Sequence, residues 1–350
     1  MGIGIFMMTC NDMHTRHIVP RFVENEHYSI NLGFVPIFIS AFIQWRLLIQ
    51  CVLEHFLVTT LCRSDPNMVN TTFVDSLVEI PIEEWSALRE KFRENFPYGV
   101  TGSNALRSSF LNKTKIPDFP VSVCAPFGNT DDGIVCLWNQ TDIATEIGIY
   151  LLGDKKEKLV EALIKSKRID WEKRVLFCCV MPNLVQAVYD IFNAKGLKSG
   201  LDETYIAFIE KEKALAFDTT LPADVKLAPS TLEHTPIMDS VWPHRYPGSL
   251  IYFQKMVEWG ASLALLGQAG DLRGWVLSSV RGDMHAVQVL EGHRRKGYAQ
   301  LLLRVLGKQH AESDREVFGC IVTKNSSSKE MFQKMGFKNV VITSWIFTSN

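Results

Sequence analysis

Val287–Leu302 reads VQVLEGHRRKGYAQLL, and this stretch decides the fold. It is a strand that runs into a glycine turn and then opens a helix. The turn places Arg294, Arg295 and Lys296 ahead of Gly297, Tyr298 and Ala299. A helix start leaves several backbone N–H groups unpaired and carries partial positive charge. Gly297 lets the backbone come close to a ligand, and three cations stand beside it. That combination suits a pyrophosphate. The same letters also describe a solvated basic helix start, so the surrounding sequence has to decide.

The chain has 350 residues, enough for two domains. Hydrophobic residues make up 47% and charged residues 21%, the balance of a globular protein with a sizeable core. A net charge of −1, with basic residues dispersed outside the turn, argues against nucleic acid as a partner. The 8 cysteines form no C-x-x-C pair, which argues against a metal site of the zinc type. Cys178 and Cys179 lie in the apolar run VLFCCV, where free cysteine behaves as a small hydrophobe. This usage fits a reducing compartment.

Residues 1–67 differ from the rest. Leu32–Ile43 is nearly all apolar and a second run reaches Leu61. A spanning helix needs about 20 apolar residues, and extending the first run brings in Arg46, Gln50 and Glu54. A central arginine alone costs roughly 2.5–3.5 kcal/mol on insertion scales. Three readings stay open for this extension: an amphipathic or packed helix that gives membrane association through 32–61, a targeting segment, or a translation start at Met68.

From Met68 the chain reads as ordinary α/β. Helical spacing over Ile80–Phe96 aligns Trp85, Leu88, Phe92 and Phe96. Pro120–Pro126 and Gly133–Asn139 read as a strand pair around turn residues, followed by a strand from Glu146 and a helix over Lys155–Ser166. The run 175–180 is a buried strand, and Pro182–Gly196 is a helix with a proline start and a glycine stop. Phe217–Pro229 reads as a linker or crossover. A second unit repeats the pattern: two strands around a glycine turn over residues 262–280, the strand Met284–Glu291, the basic turn, and the helix Ala299–Glu312. Another strand, a short helix ending at Gly336 and a last strand follow.

The second unit resembles the GNAT acyltransferase superfamily. The resemblance is carried by ordered pieces: Gly274-Trp275-Val276, Val289, Arg294-x-x-Gly297-x-Ala299, Asn325-x-x-Ser328, and Phe332 with Gly336-Phe337. The leader Thr235–Gly267, the Gly282-Asp283-Met284 step and Ser344-Trp345 resemble the glycine N-acyltransferase-like branch more closely. The fold this implies is α/β: two tandem GNAT-like domains, each a mixed, largely antiparallel sheet flanked by helices. The division it implies is an extension over 1–67, a degenerate amino-terminal domain over 68–215 and a catalytic domain over 216–350.

The implied chemistry is direct transfer of an acyl group from a CoA thioester to a small amine such as glycine, by a monomer. Acyl-CoA would be a co-substrate, with no permanently bound cofactor. An N-acetyltransferase for another amine or a protein, and a non-catalytic acyl-CoA-binding module, are the alternatives. Family resemblance also implies a mitochondrial or cytoplasmic setting, the former slightly preferred. Asp283 matches the family's catalytic glutamate, one methylene shorter; its alternative reading is an exposed turn aspartate. An ordinary aspartate value of about 3.9 suits a base only if burial raises it. His285, two residues on and sharing its face, and His293 are alternative bases. The N–H groups of Lys296–Ala299, Tyr298 included, would cradle the pyrophosphate, with Arg294, Arg295 and Lys296 supplying charge. Val289 would act through its backbone N–H, and Asn325 and Ser328 would meet the pantetheine arm. Phe332 stands where many relatives carry a tyrosine acid, and phenylalanine donates no proton.

Overall fold

Two runs of six strands follow the same order along the chain. The computed structural model describes residues 74–349 apart from 143 and 154, so the readings of 1–67 lie outside the described residues. The first run is β1 (Leu77–Glu79), β2 (Val121–Pro126), β3 (Ile134–Thr141), β4 (Ala144–Tyr150), β5 (Arg174–Val180) and β6 (Ser199–Ile209). The second is β7 (Val225–Pro229), β8 (Ser262–Gly267), β9 (Leu272–Ser278), β10 (Met284–Val289), β11 (Val317–Val322) and β12 (Lys338–Thr348). They join in one 12-stranded sheet of order β1-β2-β3-β4-β5-β12-β6-β11-β10-β9-β8-β7. Read from either edge, the order and the strand directions repeat, with the last strand of each run exchanged into the other.

The tandem α/β architecture expected from the sequence is therefore present, and its two sheets are continuous. The seam is β12 against β6, antiparallel from Lys338↔Phe208 to Thr348↔Ser199. Among the described residues only β4–β5 and β10–β11 pair in parallel. Parallel neighbours need a crossover, and here it is a helix in each case. α3 (Glu157–Lys165) links the first pair and α8 (Tyr298–Glu312) the second.

The helices follow the strand repeat. α1 (Trp85–Glu94) and α2 (Val100–Lys115) come between β1 and β2, as α6 (Thr235–Ser240) and α7 (Ser249–Glu258) come between β7 and β8. α4 (Val185–Ala194) and α9 (Ser326–Lys334) precede β6 and β12, and the short α5 (Lys211–Leu215) joins the two runs. α1 buries Trp85, Leu88 and Phe92, as its spacing predicts. It stops at Glu94, so Phe96 falls outside the helix, exposed, with its ring 5.1 Å from that of Phe208. Burying a side chain such as Phe92 stabilises the fold by roughly 1.5–3 kcal/mol.

Two elements go beyond the sequence reading. α2 buries Ser103, Asn104, Ser108 and Ser109 alongside Val100, Ala105 and Leu106, so its buried face mixes polar and apolar residues. A Cβ on Gly102 would lie 2.9 Å from the Phe92 ring, which shows how tightly α1 and α2 meet. The stretch 217–229 is not all linker: Val225–Pro229 is the edge strand β7, paired with β8 from Val225↔Gly267 to Pro229↔Leu263. Its closing proline is tolerated because an edge strand leaves one side of its backbone unpaired.

Candidate functional site

β10 and β11 start side by side and then part. Met284↔Gly319 is their one register pair, whereas β4 and β5 pair from Ala144↔Arg174 through Ile147↔Phe177. The divergence has a local cause. Against β9, His285 faces Leu277 but Gln288 faces Trp275, so β10 carries one extra residue, and Ala286 takes the left-handed φ of 47°. A bulge of this kind bends the strand and ends its pairing. Leu290 donates its N–H to the Arg273 carbonyl on β9 at 2.9 Å. Backbone groups alternate sides along a strand. The N–H of Val289, one residue back, therefore points away from β9 into the gap left by β11.

The basic turn stands at the end of this gap. Arg295 and Gly297 both adopt left-handed backbone, φ 67° and 79°, and Gly297 caps the start of α8. Alternating conformations of this kind gather N–H groups into an anion-binding concavity. No protein acceptor is recorded for the N–H groups of Lys296–Ala299 among the described residues, and a Cβ on Gly297 would meet nothing within 4 Å. Arg294, Arg295 and Lys296 are exposed, and Ala299 is half-buried. The Arg294 Nε donates to the Val289 carbonyl at 3.1 Å, which ties the turn to the strand. Tyr298 turns its side chain inward, donating its hydroxyl to Asp224 at 2.6 Å, so its backbone alone faces the turn. Asn325 caps α9, its side-chain oxygen accepting the Ser328 N–H at 3.0 Å.

Asp283 is fully buried, not the exposed turn aspartate that its Gly282-Asp283 setting also allowed. Ser279 donates its hydroxyl to Oδ1, and the Arg281 Nε lies 3.2 Å from the same oxygen without the alignment of a hydrogen bond. Burial alone would raise the Asp283 carboxyl, but Arg281, His285 and Ser279 outweigh it and hold the carboxyl below its ordinary value. Oδ2 makes no hydrogen bond and faces the His285 Nδ1 at 3.9 Å, so the two residues share a face as their spacing predicts. Burial pushes His285 down to about 4 against the pull of Asp283, which leaves the imidazole neutral at pH 7.

His285 opens into a cavity of 690 Å³ over the middle of the sheet. Its walls include Trp345 and Phe347 of β12, Asp202 and Thr204 of β6, Arg174 of β5 and Cys320 of β11, and the loop Trp242–Pro247 and Tyr252 border it as well. The His285 ring stacks on Trp345, centroids 6.0 Å apart and planes 11° apart. Arg281 reaches across to form a buried ion pair with Glu146 of β4, its guanidinium 4.7 Å from the centre of the Trp345 ring. The volume and aromatic walls are those of a site for a small organic ligand. His293 does not line this cavity; it lies in the turn Glu291–His293 beside the basic segment. Phe332 is buried, packed edge-on to Phe337 at 4.9 Å.

The sequence reading brought together Asp283, His285, Val289 and the basic turn, but it missed Glu146, Arg281 and Arg174. Arg281 stands two residues before Asp283, a spacing that offered a signal. Glu146 and Arg174 lie in other strands, and their contribution depends on the exchange that sets β12 beside β5.

Residues 264–346 match the family model described as FR47-like protein, and the matched segment holds every site residue singled out from the sequence. No curated protein matches the chain. Among solved structures, a Drosophila protein shares the fold with a TM-score of 0.69 at 19% identity, covering 79% of this chain and 99% of its own. A tandem GNAT protein from the clavulanic acid biosynthesis pathway aligns at TM-score 0.43 and 12% identity, over 77% of this chain and 97% of its own. A GCN5-related N-acetyltransferase from Sphaerobacter thermophilus aligns at TM-score 0.43 and 9% identity, over 78% and 94%. No helix among the described residues is long and apolar enough to cross a membrane.

Proposed function

We propose that this protein is an acyl-CoA-dependent N-acyltransferase that acts on glycine or a similar small amino acid as a monomer, with residues 216–350 as the catalytic domain and 68–215 as its degenerate partner. One observation carries the reading: the gap between β10 and β11 lies between an open, basic helix start and a ligand-sized cavity. In this reading the pyrophosphate of acyl-CoA sits on the N–H groups of Lys296–Ala299 beside Arg294 and Arg295. The pantetheine follows the gap past Asn325 and Ser328, and the amine waits in the cavity.

The residues present suggest the steps. The amine attacks the thioester carbonyl, and the Val289 N–H, aimed into the gap, stabilises the oxyanion that forms. The nitrogen's proton passes to neutral His285. Asp283, with Oδ2 free behind the His285 Nδ1, steadies the imidazolium in the way a buried carboxylate orients a catalytic histidine. Asp283 then belongs to the proton route without meeting the amine itself. The C–S bond breaks, and the thiolate takes the proton back from His285, leaving amide and free CoA. Phe332 has no part in this transfer.

The test is CoA release by the full chain from acetyl-, butyryl- and benzoyl-CoA with a panel of amino acids. Turnover with at least one pair is expected. Measurable acyl-CoA binding without turnover on any amine would overturn the enzyme and leave an acyl-CoA-binding module. The sealed position of Asp283 is the observation that favours that second reading.

A further inference from the structure

Arg174 lines the same cavity from the first residue of β5. Its guanidinium carbon lies 4.3 Å from the centre of the Tyr246 ring and 5.2 Å from that of Phe347. The other cations on the wall have carboxylate partners: Lys173 meets Asp170 at 3.7 Å, and Arg245 meets Asp239 at 2.9 Å. Arg174 has no ion pair recorded among the described residues, and the nearby wall carboxylates are placed otherwise. Glu146 answers Arg281, Asp202 lies 4.0 Å from His244, and Glu172 is exposed with no recorded pair. A planar guanidinium held against two rings keeps its N–H fork in a fixed orientation, which is the geometry for bidentate contact with a carboxylate.

The two ends of the cavity are related through β12. His285 stacks on Trp345, and Arg174 lies by Phe347, two residues further along the strand. Side chains two apart share a face and stand roughly 6.6–6.8 Å from each other. One end therefore offers a neutral proton acceptor and the other a cation without a counter-ion. A ligand that carries an amine and a carboxylate satisfies both.

We infer that Arg174 is the specificity-determining residue that holds the acceptor's carboxylate, which makes the substrate class the free amino acid, with the amines that lack a carboxylate excluded. The inference rests on the proposed acyl transfer for its kinetic test, and a binding test stands apart from it.

The kinetic test compares amino acids with their primary amides, glycine with glycinamide and phenylalanine with phenylalaninamide, in wild type, Arg174→Met and Arg174→Lys. Wild type is expected to favour the acid by about 50-fold in kcat/KM, the order of one charge-assisted bidentate contact. Arg174→Met should raise KM for the acid by a similar factor with kcat within about threefold, and leave the amides and the KM for acyl-CoA unchanged. Arg174→Lys keeps the charge without the fork and should recover part of the preference. A preference for the acid that survives in Arg174→Met, or an equal loss for acid and amide, overturns the inference.

The binding test is calorimetry with N-benzoylglycine and its amide on the same three proteins. Loss of N-benzoylglycine binding in Arg174→Met, with amide binding kept, sustains the carboxylate seat even in a protein that shows no turnover. Unchanged N-benzoylglycine binding in that variant refutes the seat while leaving acyl transfer intact.

Discussion

The two parallel junctions of the sheet, β4 with β5 and β10 with β11, begin from one topology and end differently. β4 and β5 stay registered over four residue pairs, and the described residues of 151–156 that lead into α3 contain no left-handed backbone. β10 and β11 share one pair, a bulge bends β10 away, and the turn into α8 holds Arg295 and Gly297 in left-handed conformations. One added residue in a strand and one reshaped turn convert a closed seam into an open gap. The closed junction has its own task. Its Glu146 takes the Arg281 guanidinium, which also lies against Asp283, so the first repeat supplies a wall to the site of the second.

If the open junction is the reacting one, the largest effect should come from its proton acceptor. His285→Ala should lower kcat by about 1000-fold, within the range of a lost general base, with acyl-CoA affinity unchanged. Single-turnover kinetics at saturating acyl-CoA checks this, and a loss under tenfold would move the proton route elsewhere. The closed junction is probed next. Glu146→Leu removes one partner of the buried Arg281, and the expected loss of stability is about 3 kcal/mol in urea unfolding. The half-exposed Arg168–Glu79 pair in the same repeat, at 3.7 Å, serves as the control. Glu79→Gln should cost under about 1 kcal/mol. Equal losses in the two variants would deny the closed junction its supporting part. A third variant tests the open turn itself. Gly297→Asp puts a side chain on left-handed backbone and a negative charge at the helix start, and should weaken acyl-CoA binding by about 30-fold by calorimetry. Binding within threefold of wild type would place the anion seat outside this turn.

How much of this was legible depended on whether a residue's task lay within its own segment. The basic turn, the strand before it and the short helix after Asn325 are local, and alternation, glycine chemistry and charge point to them directly, whereas the bulge at Ala286 left no such signal. α2 was not legible because Ser103, Asn104, Ser108 and Ser109 share its buried face with Val100, Ala105 and Leu106, which breaks the apolar period. β6 was not legible because its first half holds Asp202, Glu203 and Thr204, and two of these polar residues line the cavity. A polar run at the centre of a sheet signals a site, but its centrality follows only from the strand exchange. Glu146 and Arg174 were hidden for the same reason: residues far apart in the chain meet because β12 inserts beside β5.

Two histidines near the open junction are held neutral by burial. His285 is pushed down to about 4, and His310 of α8, its Nε2 2.9 Å from the Ser278 Oγ, to about 3. In the unfolded chain both return to about 6.5. Between that value and their folded ones the unfolded chain binds protons that the folded protein refuses, so stability falls as pH falls through the window. From pH 7 to pH 5.5 each histidine should remove about 1 kcal/mol. The mixed exposure of carboxylates elsewhere gives a background slope, so the informative quantity is a difference. His310→Gln keeps a polar group near Ser278 but cannot titrate. Its urea-unfolding free energy should drop by about 1 kcal/mol less than that of wild type over the same interval. An identical drop would mean that His310 takes up its proton over the same pH range in the folded protein as in the unfolded chain. Burial around α8 would then be looser than its 1% exposure implies.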